Sequence, residues 1–590
     1  MMPWNNRGQL GDGMSGATFD DVIKQLGEFG PYQKRVYFLL CLPSITLCMQ
    51  TLLTVFTMVA PDHRCAIPGL ENDTYHVQDS RHAAVINSFI PEGDSCNVIV
   101  TSNVDDVTSD FVDYNRTKHL AESLSFRNTE NIGHLAENGT EYAVNGSVIV
   151  TMCSRFVYDR TELKKTVVTD MDLVCERDNR RAIAQSALMG GNLAGAFFCL
   201  APSDYVGRHK AMMAGLLLHM MTSLGTTWST YFPVFCCFMF IQGMAITASF
   251  TNIYTIGMEQ VGPSKRVWAG FVIMIFWAIG VILLAPMAYL LRDWQHLQIA
   301  TAIPTFAFLS YFWLIPESAR WLVSKGRVVE AEVILLKAAR VNKVSLTPGL
   351  LDSITVPVDK GQSVLTMFQH PVLVWRCAVL FYTWFVSSVV FYGLGLNVGS
   401  LGGSVYVNFL LSGVMELVSY VMCLCLLDRV GRRLLNSSLM LLAGLSCTLT
   451  IVTILYAPSS MQWTTTALAM IGKLGIAGGF ATVWVYTSEL FPTLVRNSGM
   501  GASSVCARIG GVVCPYVANL STTIGGDTGT AVPLLIFGVS SILAGLFLLT
   551  LPETLNRRLP DTVTDAVNFT RRPADDKKGD GHPELETLSS

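Results

Sequence analysis

The sequence predicts an all-α membrane protein of twelve spanning helices, arranged as two pseudo-symmetric bundles of six. Three observations carry this. Hydrophobic residues make up 51% of the 590 positions and charged ones 14%, against about 25% charged in a soluble domain. Twelve mostly apolar runs approach or exceed the roughly 18–20 residues a helix needs to cross a bilayer. A set of charged landmarks also occurs twice. Asp204-Tyr-Val-Gly-Arg208-His-Lys210 returns as Asp428-Arg-Val-Gly-Arg432-Arg433, Glu259/Arg266 returns as Glu489/Arg496, and Pro316-Glu317 with Arg320 returns as Pro552-Glu553 with Arg557. The offsets are 224, 230 and 236 residues. Each landmark closes an apolar run, so the chain is two copies of one membrane-embedded half.

Residues 1–35 are polar and form an N-terminal segment. The run at 36–60 is too long and too deep in the chain for a cleavable signal peptide, so it reads as the first span. Residues 61–180 are a long polar loop. The region 181–315 holds spans near 182–203, 211–231, 233–257, 268–291 and 294–315. A connector at 316–373 contains an amphipathic helix, Glu330-Ala-Glu-Val-Ile-Leu-Leu-Lys-Ala-Ala-Arg340. The region 374–551 holds spans near 375–397, 404–427, 434–457, 464–488, 497–521 and 530–551, and 552–590 is a polar tail. Basic residues gather in one set of short loops: Arg208, Lys210, Lys265, Arg266, Arg429, Arg432, Arg433 and Arg496. That side is expected to be cytoplasmic. Both termini then lie in the cytoplasm and the 61–180 loop outside.

The loop carries four acceptor sequons, at Asn72, Asn115, Asn138 and Asn145, read as glycosylation sites because topology places them outside. It also holds Cys65, Cys96, Cys153 and Cys175, an even set in an oxidising compartment, which predicts two disulfides with three pairings open. The other cysteines lie in spans and read as packing residues. No metal site is expected, since none has a histidine at ligand spacing. The chain lacks a Gly-x-x-x-x-Gly-Lys-Ser/Thr phosphate loop, a His-Glu-x-x-His pair and a Gly-x-Ser-x-Gly elbow, so it does not read as an enzyme. The net charge of −3 gives no sign of a nucleic-acid partner. The partners expected are the lipid bilayer and a small substrate. A duplicated membrane bundle is a common plan for transporters, with the substrate held between the halves.

Several strings resemble the organic cation/anion/carnitine transporter family, solute carrier family 22 of the major facilitator superfamily. They are Leu26-Gly-Glu-Phe-Gly-Pro-Tyr-Gln33, Pro61-Asp-His-Arg-Cys65, Asp172-Leu-Val-Cys175, Pro316-Glu-Ser-Ala-Arg-Trp-Leu322, Tyr486-Thr-Ser-Glu-Leu-Phe-Pro-Thr-Leu-Val-Arg-Asn497 and Leu551-Pro-Glu-Thr-Leu555 with Leu559-Pro-Asp561. The resemblance runs from about Phe19 to Pro560. It implies a major facilitator fold, rocker-type alternating access and small organic ions as substrates. The chain departs from the family at Leu200 and Tyr205, where the first loop motif usually has glycine and a basic residue. It also has four loop cysteines where cation carriers have six.

The landmark charges suit an inner gate. Asp204 and Asp428 are placed to cap neighbouring helix N-termini. Arg208, Arg432, Arg266 and Arg496 are placed to pair with Glu259, Glu489, Glu317 and Glu553 across the seam between the halves, with Arg320 alongside. Charges inside the spans speak to cargo. Arg508 lies twelve residues beyond Arg496, and Glu416 twelve before Asp428. Each is then about 18 Å into a layer of about 30 Å. Lys473 lies further out. Such residues are costly in lipid and face a wet cavity or a partner; the alternative to a substrate role for Glu416 is a structural pair with Lys473 or Arg508. The first half has no matching pair.

The resemblance adds that Cys506-Ala-Arg508 aligns with a position where cation carriers have an acid and the anion and carnitine branches have arginine. Tyr406-Val-Asn408…Glu416 looks most like the carnitine branch. Aromatic candidates for a cationic group are Trp384, Tyr392, Tyr486 and Phe250. The leading expectation is a plasma-membrane, alternating-access carrier of small zwitterions such as carnitine, betaines or amino-acid-like compounds. Its alternatives are an organic-anion exchanger using Arg508 with Lys473, an organic-cation uniporter, and a non-transporting receptor. No cofactor is expected. Coupling to Na+ or H+ stays open, and a monomer is expected.

Overall fold

The computed structural model describes residues 19–67, 70, 73–91, 94–101, 141–144, 148–198, 200–347, 369–400, 402–458, 461–492, 495–557, 560 and 563–569. Six long helices form the N-terminal half: α1 (Pro31–Leu52, continued by Thr54–Thr57), α2 (Asn179–Phe198), α3 (Arg208–Thr227), α4 (Phe232–Glu259), α5 (Arg266–Leu291) and α6 (Trp294–Ala307). Six form the C-terminal half: α7 (Pro371–Leu396), α8 (Val405–Val430), α9 (Arg432–Tyr456), α10 (Gln462–Leu490), α11 (Arg496–Ile524) and α12 (Gly526–Leu548). Ten of the twelve are long and apolar enough to cross a membrane by length and composition. The other two, α2 and α3, carry more polar residues because both turn polar groups inward. Asn192 of α2 reaches a central cavity, and on α3 Thr222 and Thr226 return their hydroxyls to carbonyls one turn back, as buried hydroxyls must.

Within the halves, helices approach through small residues, as membrane bundles do when no hydrophobic drive separates helix from lipid. Gly191 and Gly195 of α2 face α4. A Cβ at Gly191 would run into the carbonyl oxygen of Phe240, and one at Gly243 into that of Leu188. The halves meet along two seams, α2 with α11 and α5 with α8. Ser186 Oγ donates to the Val512 carbonyl at 3.0 Å. Gly413 admits the side chains of Val281 and Ile282.

The two ends of the bundle differ. At the end carrying the 61–180 excursion (the loop end), Phe56 stacks on Tyr406 at 5.7 Å and meets Phe409 at 4.9 Å, both across the seam. Thr522 Oγ1 donates to Asp178 Oδ2 there, at 2.9 Å. The opposite end carries the repeated charges (the landmark end).

The excursion folds on two small antiparallel sheets. Strand β1 (His63–Cys65) pairs with β5 (Phe156–Tyr158). Strands β2 (Asn97–Thr101), β3 (Glu141–Val144) and β4 (Val148–Met152) form a sheet in the order β2-β4-β3. Of the three pairings open to the cysteines, the structure makes Cys65–Cys153 and Cys96–Cys175, with Cα separations of 5.6 and 5.7 Å. Asn72, Asn115, Asn138 and Asn145 lie outside the described residues. The excursion also touches the C-terminal half, where Tyr406 Oη donates to the Glu162 carbonyl at 2.9 Å.

Candidate substrate cavity and landmark network

A central cavity of about 190 Å³ lies between the halves, lined by α1, α2, α4 and α5 on one side and α7, α8, α10 and α11 on the other. Among the described residues, nine aromatic side chains wall it and Arg508 is its only charged lining residue. Of the residues the sequence singled out, Arg508, Trp384, Tyr392 and Phe250 line it. Trp384 is held by its indole N–H, which donates to Thr487 Oγ1 at 2.9 Å.

Arg508 donates to the Ser504 carbonyl at 3.3 Å and to the Ser504 hydroxyl one turn back on α11. Among the described residues, no carboxylate forms an ion pair with it. A guanidinium at this depth, its five donors only partly used, is suited to hold a planar anion through two parallel hydrogen bonds.

The other three candidates lie elsewhere. Glu416, expected with the aromatics at the cationic end of the site, is fully buried behind the cavity wall. Its Oε2 is 3.5 Å from Lys473 Nζ, and its Oε1 accepts from Tyr420 Oη at 2.9 Å. Lys473 does not line the cavity either; it sits over the Phe391 ring, 3.6 Å from the centroid. The partner that meets Glu416's cost of burial is therefore Lys473, one helix away, rather than Arg508. Tyr486 packs at the landmark end, with its hydroxyl donating to the Pro552 carbonyl at 2.7 Å.

The sequence reading missed part of the aromatic wall. Trp384 meets Trp484 at 4.5 Å between ring centroids and Phe480 at 6.2 Å. Phe250 meets Trp277 at 5.5 Å. Tyr254 of α4 meets Trp484 of α10 across the seam at 6.2 Å. A signal for these was present: Phe250 and Tyr254 return as Phe480 and Trp484 at the same 230-residue offset as Glu259 and Glu489. The repeat therefore marks both walls of the cavity as well as the charges beneath it.

At the landmark end, the same small machine is built twice. Arg208 Nε is 3.3 Å from Glu259 Oε1, and Arg432 Nε is 3.1 Å from Glu489 Oε2. Ser318 Oγ donates to Glu259 at 2.5 Å, and Thr554 Oγ1 to Glu489 at 2.6 Å. Glu317 accepts the His209 N–H at 2.9 Å, and Glu553 accepts the N–H groups of Arg432 and Arg433 at 2.9 and 3.1 Å.

Three expectations are corrected here. The Arg208 and Arg432 pairs with Glu259 and Glu489 each stay within one half, because the partner helices α3–α4 and α9–α10 are neighbours there. The helix caps are Glu317 and Glu553, whereas Asp204, on the short helix Leu200–Val206, and Asp428, near the end of α8, pair with Arg208 and Arg432 four residues on at 3.2 and 3.0 Å. Arg266 goes to Asp20 of the N-terminal helix Phe19–Gln25 at 2.6 Å instead of to a landmark acid, and Arg320 reaches the same carboxylate at 3.5 Å while also attracting Glu259. Arg496 donates from Nε to the Phe491 carbonyl at 3.4 Å. The turn glycines are required. Gly431 has φ +96°, and a Cβ on it would lie 2.7 Å from Glu553 Oε2.

Comparison with known proteins places this architecture. Residues 135–564 match the family described as "Sugar (and other) transporter". The chain is 37% identical over 573 residues to the "Organic cation transporter protein" of Drosophila melanogaster, covering 94% of this chain and 96% of that one. It is 31% identical to human "Solute carrier family 22 member 13", covering 93% of each. The chain belongs to solute carrier family 22. Its fold is that of the inward-open xylose transporter XylE from E. coli, with a TM-score of 0.53 at 17% identity over 68% of this chain and 91% of that one. This family 22 member is a multi-pass secondary transporter of small organic ions with the twelve-helix major facilitator fold, and it is not an enzyme.

Proposed function

We propose that this family 22 carrier moves small organic anions bearing a carboxylate, by alternating access of its two halves around the central cavity. The supporting observation is that Arg508 is the one charged residue on an otherwise aromatic and neutral lining, with Glu416 withdrawn into its pair with Lys473. A carboxylate meets the arginine fork, and an apolar or aromatic body meets the Trp384–Trp484 wall. The zwitterion reading, which led on sequence alone, ranks second here and keeps one observation in its favour. The same aromatic faces suit a quaternary ammonium, which also fits the name of the Drosophila relative. Residence in the plasma membrane, with the landmark end and both termini in the cytoplasm, is supported by the basic short loops and by the disulfide-bonded excursion on the other side. The cavity is complete within one chain, which supports a working monomer.

The test is uptake of p-aminohippurate, carnitine and tetraethylammonium by cells expressing the chain or Arg508→Ala, at matched surface amount. Hydrogen bonds to a charged group contribute about 1.5–3 kcal/mol, so Arg508→Ala should cost about 10- to 150-fold in kcat/KM for the carboxylates. Uptake dominated by tetraethylammonium and unchanged by the substitution would overturn the assignment.

A further inference from the structure

We propose that Glu416 is a proton-carrying site that couples substrate movement to a pH gradient, with Lys473 and Tyr420 as its positioning residues. This rests on the anion reading above.

The geometry is that of a loaded but loose pair. Glu416 and Lys473 are almost wholly removed from solvent, with side chains 0% and 4% exposed. Their separation of 3.5 Å exceeds the roughly 2.7–2.9 Å of a tight charge-assisted bond. Among the described residues Glu416 Oε2 has no hydrogen-bond partner, while Oε1 accepts from Tyr420. Lys473 divides its charge between this carboxylate and the Phe391 carbonyl at 3.3 Å.

The pair also lies between two spaces. Tyr420 and Phe391 line the central cavity. Lys473 also borders a second small cavity of about 10 Å³, where Asn397, Ser412 and Thr530 sit among apolar residues such as Leu394, Val398 and Leu534; this is about the volume one water needs. That cavity lies toward the loop end of the C-terminal half. Lys473, at the small cavity, and Tyr420, at the substrate cavity, are thus joined through Glu416, which contacts both. The other titratable groups facing it are Tyr392 on α7, Cys48 on α1 and Cys514 on α11. From α5, Val281 and Ile282 face α8 at Gly413. Glu416 is therefore the one acid in this cluster, and buried ionisable groups of membrane proteins mark such relays.

The step balances in charge. With the loop end open, water in the small cavity delivers one proton to Glu416 Oε2, giving a neutral carboxylic acid. Lys473 stays an ammonium, and the bound substrate anion replaces the negative charge that Glu416 has lost. With the landmark end open, the anion leaves. Glu416 then returns its proton past the Tyr420 hydroxyl to water in the central cavity and pairs with Lys473 again. One anion and one proton cross together, and no net charge moves.

The experiment uses the full chain in liposomes containing a pH-sensitive dye, with acid outside and p-aminohippurate or carnitine as probe. One coupled proton supports about tenfold accumulation per pH unit. The expected wild-type result is that accumulation, with internal acidification on substrate addition. Glu416→Gln should lose the pH-driven accumulation, while counterflow, which needs no net proton, persists. Should the single variant fail to fold because Lys473 is left unpaired, Glu416→Gln with Lys473→Met removes both charges and is read the same way. Accumulation that still follows the pH gradient in either variant overturns the proposal, as does a wild type that accumulates neither probe under the gradient. If carnitine alone accumulates, and does so through Glu416, the proton site stands and the anion reading fails.

Discussion

Replacing Glu489 by glutamine removes one charge and almost no volume from the landmark end of the C-terminal half. Glu489 accepts from Arg432 Nε at 3.2 Å through Oε1 and pairs with it at 3.1 Å through Oε2, and it accepts Thr554 Oγ1 at 2.6 Å. These contacts tie the end of α10 to the start of α9 and to the segment after α12. The two side chains are 15% and 10% exposed, so solvent screens the pair little. Hydrogen bonds to charged groups contribute about 1.5–3 kcal/mol and neutral ones about 0.5–1.5. Glu489→Gln should then lose about 1 kcal/mol, or about fivefold in any equilibrium between states that hold the pair differently. The assay is initial uptake and counterflow per surface molecule, expected to fall about fivefold with surface amount unchanged. Asp428 is the control. It also pairs with Arg432 but is 73% exposed, and exposed pairs contribute about 0–1 kcal/mol, so Asp428→Asn should leave turnover near wild type. Wild-type turnover in Glu489→Gln at equal surface amount would refute the expectation that this pair, held within one half, biases the transport cycle.

Three further outcomes are expected. Gly431→Ala places a Cβ 2.7 Å from Glu553 at φ +96°; strain of about 1–3 kcal/mol should lower the unfolding temperature in detergent, and an unchanged melt would count against the capping account. Gly243→Val should separate α2 from α4 and cost about 1–3 kcal/mol or more, read as lost surface protein or a lower melting temperature. In the excursion, burial pushes the Asp73 carboxyl up, but hydrogen bonds from Arg64, the Ile67 N–H and His82 outweigh it and hold the group below its usual range. A depressed folded value gives stability that is present above the unfolded carboxylate pKa of about 4 and is lost as pH falls through the folded value. Protection of the loop disulfides from reductant should therefore hold from neutral pH to about pH 5 and decline progressively as pH falls below about pH 4, and Asp73→Asn should weaken it at neutral pH.

The chain order, the number of spans and the charged landmarks were legible because each is written in one dimension, as run length or as a repeated string. The direction each helix faces was not. Most of these spans are apolar all round, so no stripe marks the inward side. That is why Trp384 and Tyr486, equal candidates by sequence, separate into a cavity wall and a landmark-end anchor. The missed Tyr254 and Trp484 were recoverable, since they share the 230-residue offset of the acids five residues further on.

By itself, the sequence determined that this is a duplicated twelve-helix carrier, that its basic loops share one end, and that Arg508 sits in the middle of an apolar run, twelve residues past Arg496. Hydropathy, positive charge and repetition are properties of the chain before it folds. Only the tertiary structure decided which cysteines join, that Glu416 answers Lys473 instead of Arg508, and that Asp20 takes Arg266. Each of those pairings depends on which helices become neighbours and how they are rotated, and close packing at residues such as Gly191, Gly243 and Gly413 sets that rotation.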